Sequence, residues 1–157
     1  MFQHLLVLFL GCFLFTVSDG LITEKRSLDS FGEMIQSETG RNPFDFNGYG
    51  KWCGFGGSGD PVDSIDNCCR NHDHCYERVN RAECDSLTHT KVYFASYHWY
   101  KHQGLIYCLN NNECQQATCM CDKAAATCFH DHLADYNVWN QSHLAKILGG
   151  LFKHHHG

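Results

Sequence analysis

Three observations predict a mainly α fold with two long antiparallel, disulfide-linked helices, an N-terminal helix and a small β-hairpin. Ten cysteines, an even set, lie between positions 53 and 128. Two cysteine pairs, Cys68 with Cys75 and Cys121 with Cys128, are each spaced by seven residues inside segments of three-to-four residue periodicity. Glycine gathers between Asn47 and Gly59, marking a long loop between the N-terminal segment and the first of the two helices.

Composition narrows the class further. With 157 residues, 43% hydrophobic, 18% charged and only 2 prolines, the chain reads as one globular domain rather than a disordered segment. A net charge of −5 excludes a non-specific binder of phosphate backbones, so no nucleic-acid partner is expected.

The elements follow in chain order. Leu5 to Phe15 is apolar apart from Gly11 and Cys12 and leads into Thr16, Ser18 and Gly20, so residues 1–20 read as a secretory signal. The run is well short of the roughly twenty apolar residues that a membrane anchor needs. Residues 21–26 end in the dibasic pair Lys25-Arg26 and read as a short propeptide. Removing 26 of 157 residues leaves 131, from Ser27 on, and discards Cys12. A dense, even cysteine set in a secreted, extracellular chain reads as a framework of five disulfides. Ten cysteines admit roughly 945 pairings, extending the same count from eight, so spacing must supply more.

A short amphipathic helix is predicted from Ser27 to Ser37, with Leu28, Phe31, Met34 and Ile35 on one side. After the glycine-rich loop, Asp60-Pro61 reads as a helix start, with Asp as cap and Pro at the first helical position. Tyr97 to Cys108, with Gly104 near its middle, suggests a small hairpin. A second long helix runs from about Glu113 through Cys128. Residues 135–148 read as a last amphipathic helix, its apolar face Tyr136, Trp139, Leu144, Ile147 and Leu148, closed by Gly149-Gly150. Seven-residue spacing puts each cysteine pair on one helical face, on the order of 10 Å apart along the axis. If the two long helices are antiparallel, Cys75 meets Cys121 and Cys68 meets Cys128.

Between Cys68 and Cys75 lie Arg70-Asn71-His72-Asp73-His74. His72 is four residues after one bridged cysteine and three before the other, so it points toward the partner helix, where Asp122 follows Cys121. In that register a buried carboxylate could orient a histidine base and set its tautomer. Asp73 faces another way, toward the glycine-rich loop, and a carboxylate with backbone carbonyls suits a hard cation such as calcium. Zinc would recruit His72, His74 and Cys75, but positions i and i+2 lie on different sides of a helix and the cysteine is better used in a bridge.

Trp52-Cys53-Gly54-Phe55-Gly56-Gly57-Ser58-Gly59, Cys68-Cys69-Arg70-Asn71-His72-Asp73-His74-Cys75-Tyr76, and Cys119-Met120-Cys121-Asp122 with Cys128-Phe129 together resemble a secreted phospholipase A2 of the calcium-dependent, His-Asp type, over about Ser27 to Phe129. The resemblance implies calcium-dependent hydrolysis of the sn-2 ester of glycerophospholipids at a membrane or micelle surface, by a protein expected to act as a monomer. It casts His72 as the general base and Asp122 as the carboxylate on its other nitrogen. It gives calcium the Asp73 carboxylate and the carbonyls of Trp52, Gly54 and Gly56, with the Gly54 N–H facing the developing oxyanion. Tyr76 and Tyr97 match the tyrosines that hydrogen-bond the carboxylate, and Tyr93 matches a phosphate-contacting position. The implied bridges are Cys53–Cys69, Cys68–Cys128, Cys75–Cys121, Cys84–Cys114 and Cys108–Cys119.

There are departures from the family pattern. Lys51 and Ser37 stand where many relatives carry cysteines, and the expected partners of both are absent too, so the losses are paired. Trp52 replaces the more usual loop tyrosine, while contributing only a carbonyl. The segment from about Asp131 onward reads as a C-terminal extension to a domain spanning 27–157, and Asn140-Gln141-Ser142 is a possible glycosylation sequon. A catalytically silent relative, acting as a receptor ligand or toxin-type binding module, would be favoured by replacement of Asp73 or the loop glycines, and none is replaced. A calcium-dependent lipid binder could keep the loop without His72; turnover separates it from an enzyme. The aromatic cluster Tyr93, Phe94, Tyr97, Trp99 and Tyr100 is expected to be core, whereas Phe55 on the glycine loop and Leu28 on the first helix are expected to face lipid.

Overall fold

The computed structural model describes residues 27–84, 90–109 and 112–142. The signal and propeptide, and the part of the expected last helix beyond Ser142, lie outside the described residues.

Helix α1 spans Ser27–Thr39 and buries Ser27, Ser30, Met34 and Ile35. Its expected apolar side is only partly covered, for Leu28 remains 54% exposed. Helix α2 spans Ser64–Ala82. It begins three residues after the expected Asp60-Pro61 start, because Asp63 is the cap: its carboxylate accepts the Asp66 N–H at 2.9 Å. Residues 60–63 instead wrap the helix end, with the Val62 N–H donating to Asp66.

A short helix α3, Lys91–Phe94, precedes the hairpin of β1, His98–His102, and β2, Leu105–Leu109. The strands pair antiparallel, with Trp99 opposite Cys108 and Tyr100 opposite Tyr107. Positive φ at both Gln103 and Gly104 makes the tight two-residue turn whose twist suits a hairpin. Helix α4, Glu113–Asp131, opens with a reciprocal capping box between Asn112 and Gln115.

Helix α4 is central, packing against both α1 and α2. Its buried face carries the small side chains Ala125 and Ala126, with Phe129 stacked on Phe46 at 4.5 Å. Five disulfides staple the elements: Cys68–Cys128 and Cys75–Cys121 join α2 to α4, and Cys53–Cys69, Cys84–Cys114 and Cys108–Cys119 tie the loop, the end of α2 and the hairpin. The two interhelix bridges close chain separations of 60 and 46 residues. Loop entropy alone makes each worth on the order of 4 kcal/mol.

Two further expectations are corrected. The aromatic cluster divides, with Tyr97 buried but Phe94 63% exposed and Tyr100 also at the surface. Residues 135–142 form no α-helix: two 3-10 turns, Leu133–Asp135 and Val138–Asn140, lead into an extended strap. The strap hydrogen-bonds elsewhere, since the Gly50 N–H donates to the Asn140 carbonyl and the Ser142 N–H to the Gly48 carbonyl, both at 2.8 Å. Tyr136 packs against Phe46 and Tyr49, whereas Trp139 projects into solvent.

Candidate active site

The antiparallel helices bring His72 of α2 to Asp122 of α4, with His72 Nε2 2.6 Å from Asp122 Oδ1. Asp122 is fully buried, which would be costly for a carboxylate without donors. Tyr76 donates its hydroxyl to Oδ1 at 2.6 Å, and Tyr97 donates to Oδ2. Burial, then the charge of Asp122, pushes both phenols above their ordinary range, so they stay protonated as donors. The imidazole is held from its faces as well: Phe31 stacks on it at 4.5 Å and the Tyr76 ring lies at 4.2 Å. With Nε2 engaged, Nδ1 is the nitrogen left for chemistry.

His72 and Asp73 line one cleft of about 740 Å³ together with Phe31, Gly54 and Phe55. Tyr93 also lines it, packing edge-on against Tyr76 at 5.4 Å. Its phenol is pushed up by burial and by the charge of Asp73. The mouth is apolar, with Leu28 and Phe44 on its rim and Phe55 98% exposed. An apolar cleft with a few convergent polar groups is the usual form of a small-molecule site.

Asp73 tests the fit of a cation. No hydrogen-bond donor among the described residues reaches its carboxylate. Burial pushes its pKa up, with the opposing pull of His72 and His74 only partly offsetting this. A half-buried carboxylate without a donor, beside a loop of backbone carbonyls, is the oxygen-only donor chemistry of a hard cation. Among the described residues no cluster of three or more His, Cys, Asp or Glu could hold a metal, so the zinc alternative has no ligand set. The loop carries one local bond that bears on the site: the Gly54 N–H donates to the Trp52 carbonyl at 2.9 Å. That bond must open for the amide to face an oxyanion.

A sequence model of the phospholipase A2 family matches residues 28–141, nearly the whole described chain. The chain belongs to the phospholipase A2 family. The match runs past Asp131, so the strap is included in it. A phospholipase A2 of Scolopendra dehaani is 40% identical over 122 residues, covering 77% of this chain and 82% of the relative. A basic phospholipase A2 of Craspedocephalus borneensis is 41% identical over 124 residues, 78% of this chain and 84% of the relative. The group IIE secretory phospholipase A2 of Homo sapiens is 40% identical over 111 residues, 71% and 74% of the two chains.

Sequence reasoning missed the support beneath the family's glycine loop. Asp66, fully buried, accepts the N–H groups of Lys51 at 3.0 Å, Trp52 at 2.8 Å and Val62 at 2.9 Å. Gly50 sits directly against it, with φ +60° and no room for a side chain, since a Cβ would lie 2.3 Å from Asp66 Cγ. The expected Asp60-Pro61 start puts Asp66 past the first turn, and Gly50 is one of several loop glycines, so no sequence signal marks this contact.

Proposed function

We propose that the protein is a secreted, calcium-dependent phospholipase A2 that cleaves the sn-2 acyl ester of glycerophospholipids at a lipid surface, releasing fatty acid and lysophospholipid. The observation that carries the reading is the His72–Asp122 pair, braced by two tyrosines and opening into the same apolar cleft as Asp73 and the glycine loop. Membership in the family and a secretory relative support it.

In this reading Asp122 holds the imidazole through Nε2, so that Nδ1 takes a proton from water. The water oxygen adds to the ester carbonyl carbon, and no acyl-enzyme forms. Collapse breaks the bond to the glycerol oxygen, which takes the proton back from His72. Calcium, held by the Asp73 carboxylate and the carbonyls of Trp52, Gly54 and Gly56, would supply Lewis-acid polarisation of the ester. Tyr93, on the cleft wall, would donate to the phosphate.

Fatty-acid release from mixed phospholipid vesicles tests this directly. Release with calcium and none with chelator is the expected outcome; calcium-dependent vesicle binding without release would make the protein a lipid binder instead. The reading extends to processing, in which removal of residues 1–20 and 21–26 frees Ser27, the first residue of α1. Intact-mass analysis of secreted protein is expected to give a chain starting at Ser27, ten hydrogens lighter than its reduced form. A terminus at Leu21 would show the dibasic site unused.

A further inference from the structure

The strap after α4 crosses the stem of the glycine loop and is hydrogen-bonded to it at Asn137, Asn140 and Ser142. Asn137 N–H donates to the Tyr49 hydroxyl at 2.9 Å, and Gln141 Nε2 donates to the Phe44 carbonyl at 2.9 Å. Tyr49 and Gln141 also pair as an isolated antiparallel bridge, flanked by the two backbone bonds to Gly48 and Gly50. At the centre is the side chain of Asn140. Its Nδ2 donates to Asp63 Oδ2 at 2.8 Å and lies 3.4 Å from the Tyr49 hydroxyl, which donates to the same carboxylate oxygen.

Asp63 caps α2 at Asp66, and Asp66 in turn holds the Lys51 and Trp52 amides at the entrance of the loop. A continuous set of hydrogen bonds therefore runs from Asn140 to the loop entrance. Cys53–Cys69 is the covalent tie of this stem among the described residues, and Lys51 offers no second one.

We propose that Asn140 is a positioning residue that clasps the C-terminal strap onto the stem of the loop through Asp63 and Tyr49. The two acceptors lie side by side as seen from Nδ2, so one N–H of the amide serves the pair. The clasp deepens the calcium reading, since the loop it steadies is the one proposed to carry the carbonyl ligands, and its effect on calcium rests on that reading.

Asn140→Asp sets two carboxylates against one phenol and opens the clasp. In chelator, amide hydrogen exchange at Gly48, Gly50, Lys51, Trp52 and Ser142 is expected to rise about tenfold or more, while calcium affinity by calorimetry falls at least about tenfold, the usual scale for outer-shell partners. The double variant Asp63→Asn/Asn140→Asp turns the pair round, placing the donor on 63 and the acceptor on 140, and leaves an amide oxygen to cap α2. It is expected to restore both readouts, a rescue that a merely space-filling asparagine would not show. Unchanged exchange in Asn140→Asp, or a loss that the reversed pair does not recover, overturns the proposal. Wild-type protein that failed to bind calcium would defeat the calcium reading, while exchange in chelator would still decide the clasp.

Discussion

At the scale of single residues, the site is arranged so that one buried carboxylate directs one histidine. Asp122 receives two phenols and the imidazole, and that saturation is what allows it to be fully buried. His72→Gln fills similar space but cannot take a proton near neutral pH. We expect turnover to fall by at least about a hundredfold with calcium affinity retained, as measured by fatty-acid release and calorimetry on the same preparation. Asp73→Lys is expected to behave differently. It places a cation where a carboxylate has no donor among the described residues, so calcium binding and turnover are lost together while the bridged fold survives, and unchanged calcium affinity would remove Asp73 from the ligand set. His72, Asp73 and Asp122 were legible in the sequence because cysteines at i−4 and i+3 fix which way His72 points. Asp66 was not, because its partners are backbone amides of a distant loop, which carry no sequence signal.

At the scale of elements, the glycine loop depends on the start of α2 as much as on its own residues. Gly50 and Gly104 both have positive φ, yet only Gly50 lies against another group, while nothing lies within 4 Å of a Cβ on Gly104. Gly104→Ala is therefore expected to cost about 1 kcal/mol from backbone strain. Gly50→Ala adds a collision with Asp66 and is expected to cost roughly 2 kcal/mol more, with weakened calcium binding. Thermal melts of the two variants in chelator give the comparison; equal losses would show that Asp66 yields freely. The two long helices were legible from the seven-residue cysteine spacing and their three-to-four residue period. The last predicted helix was not formed over residues 135–142, because the stem at Gly48–Gly50 offers its backbone groups to the strap, and local periodicity contains no trace of a partner some ninety positions away.

At the scale of the whole molecule, charge and apolar exposure decide how the protein meets lipid. The chain from Ser27 on keeps ten basic and fifteen acidic residues once Lys25, Arg26, Asp19 and Glu24 are removed, a net −5. Each Lys or Arg close to an anionic surface would be worth about 1 kcal/mol, and this balance supplies no such excess. On the proposed function, binding leans on the apolar rim of the cleft, where Phe55 is almost wholly exposed and Leu28 half so. Phe55→Ser is expected to weaken binding to zwitterionic vesicles about tenfold or more, the scale of a buried phenylalanine. Co-sedimentation at pH 7.5 measures it. A strong preference for anionic vesicles, or binding that ignores the substitution, would move the contact elsewhere, with exposed Trp139 on the strap the next residue to change.

The sequence by itself determined that His72 and Asp122 face one another, the mainly helical class and the antiparallel register of the long helices, because these rest on local period and on cysteines that bond only within a few ångströms. Tertiary structure decided where α2 begins, which aromatic side chains are buried, and how the strap and Asp66 hold the loop. The strap is held by hydrogen bonds between backbone groups far apart in the chain, and the loop by a side chain that reaches the backbone amides of another segment. Every residue carries such groups, so only the folded arrangement selects which of them meet.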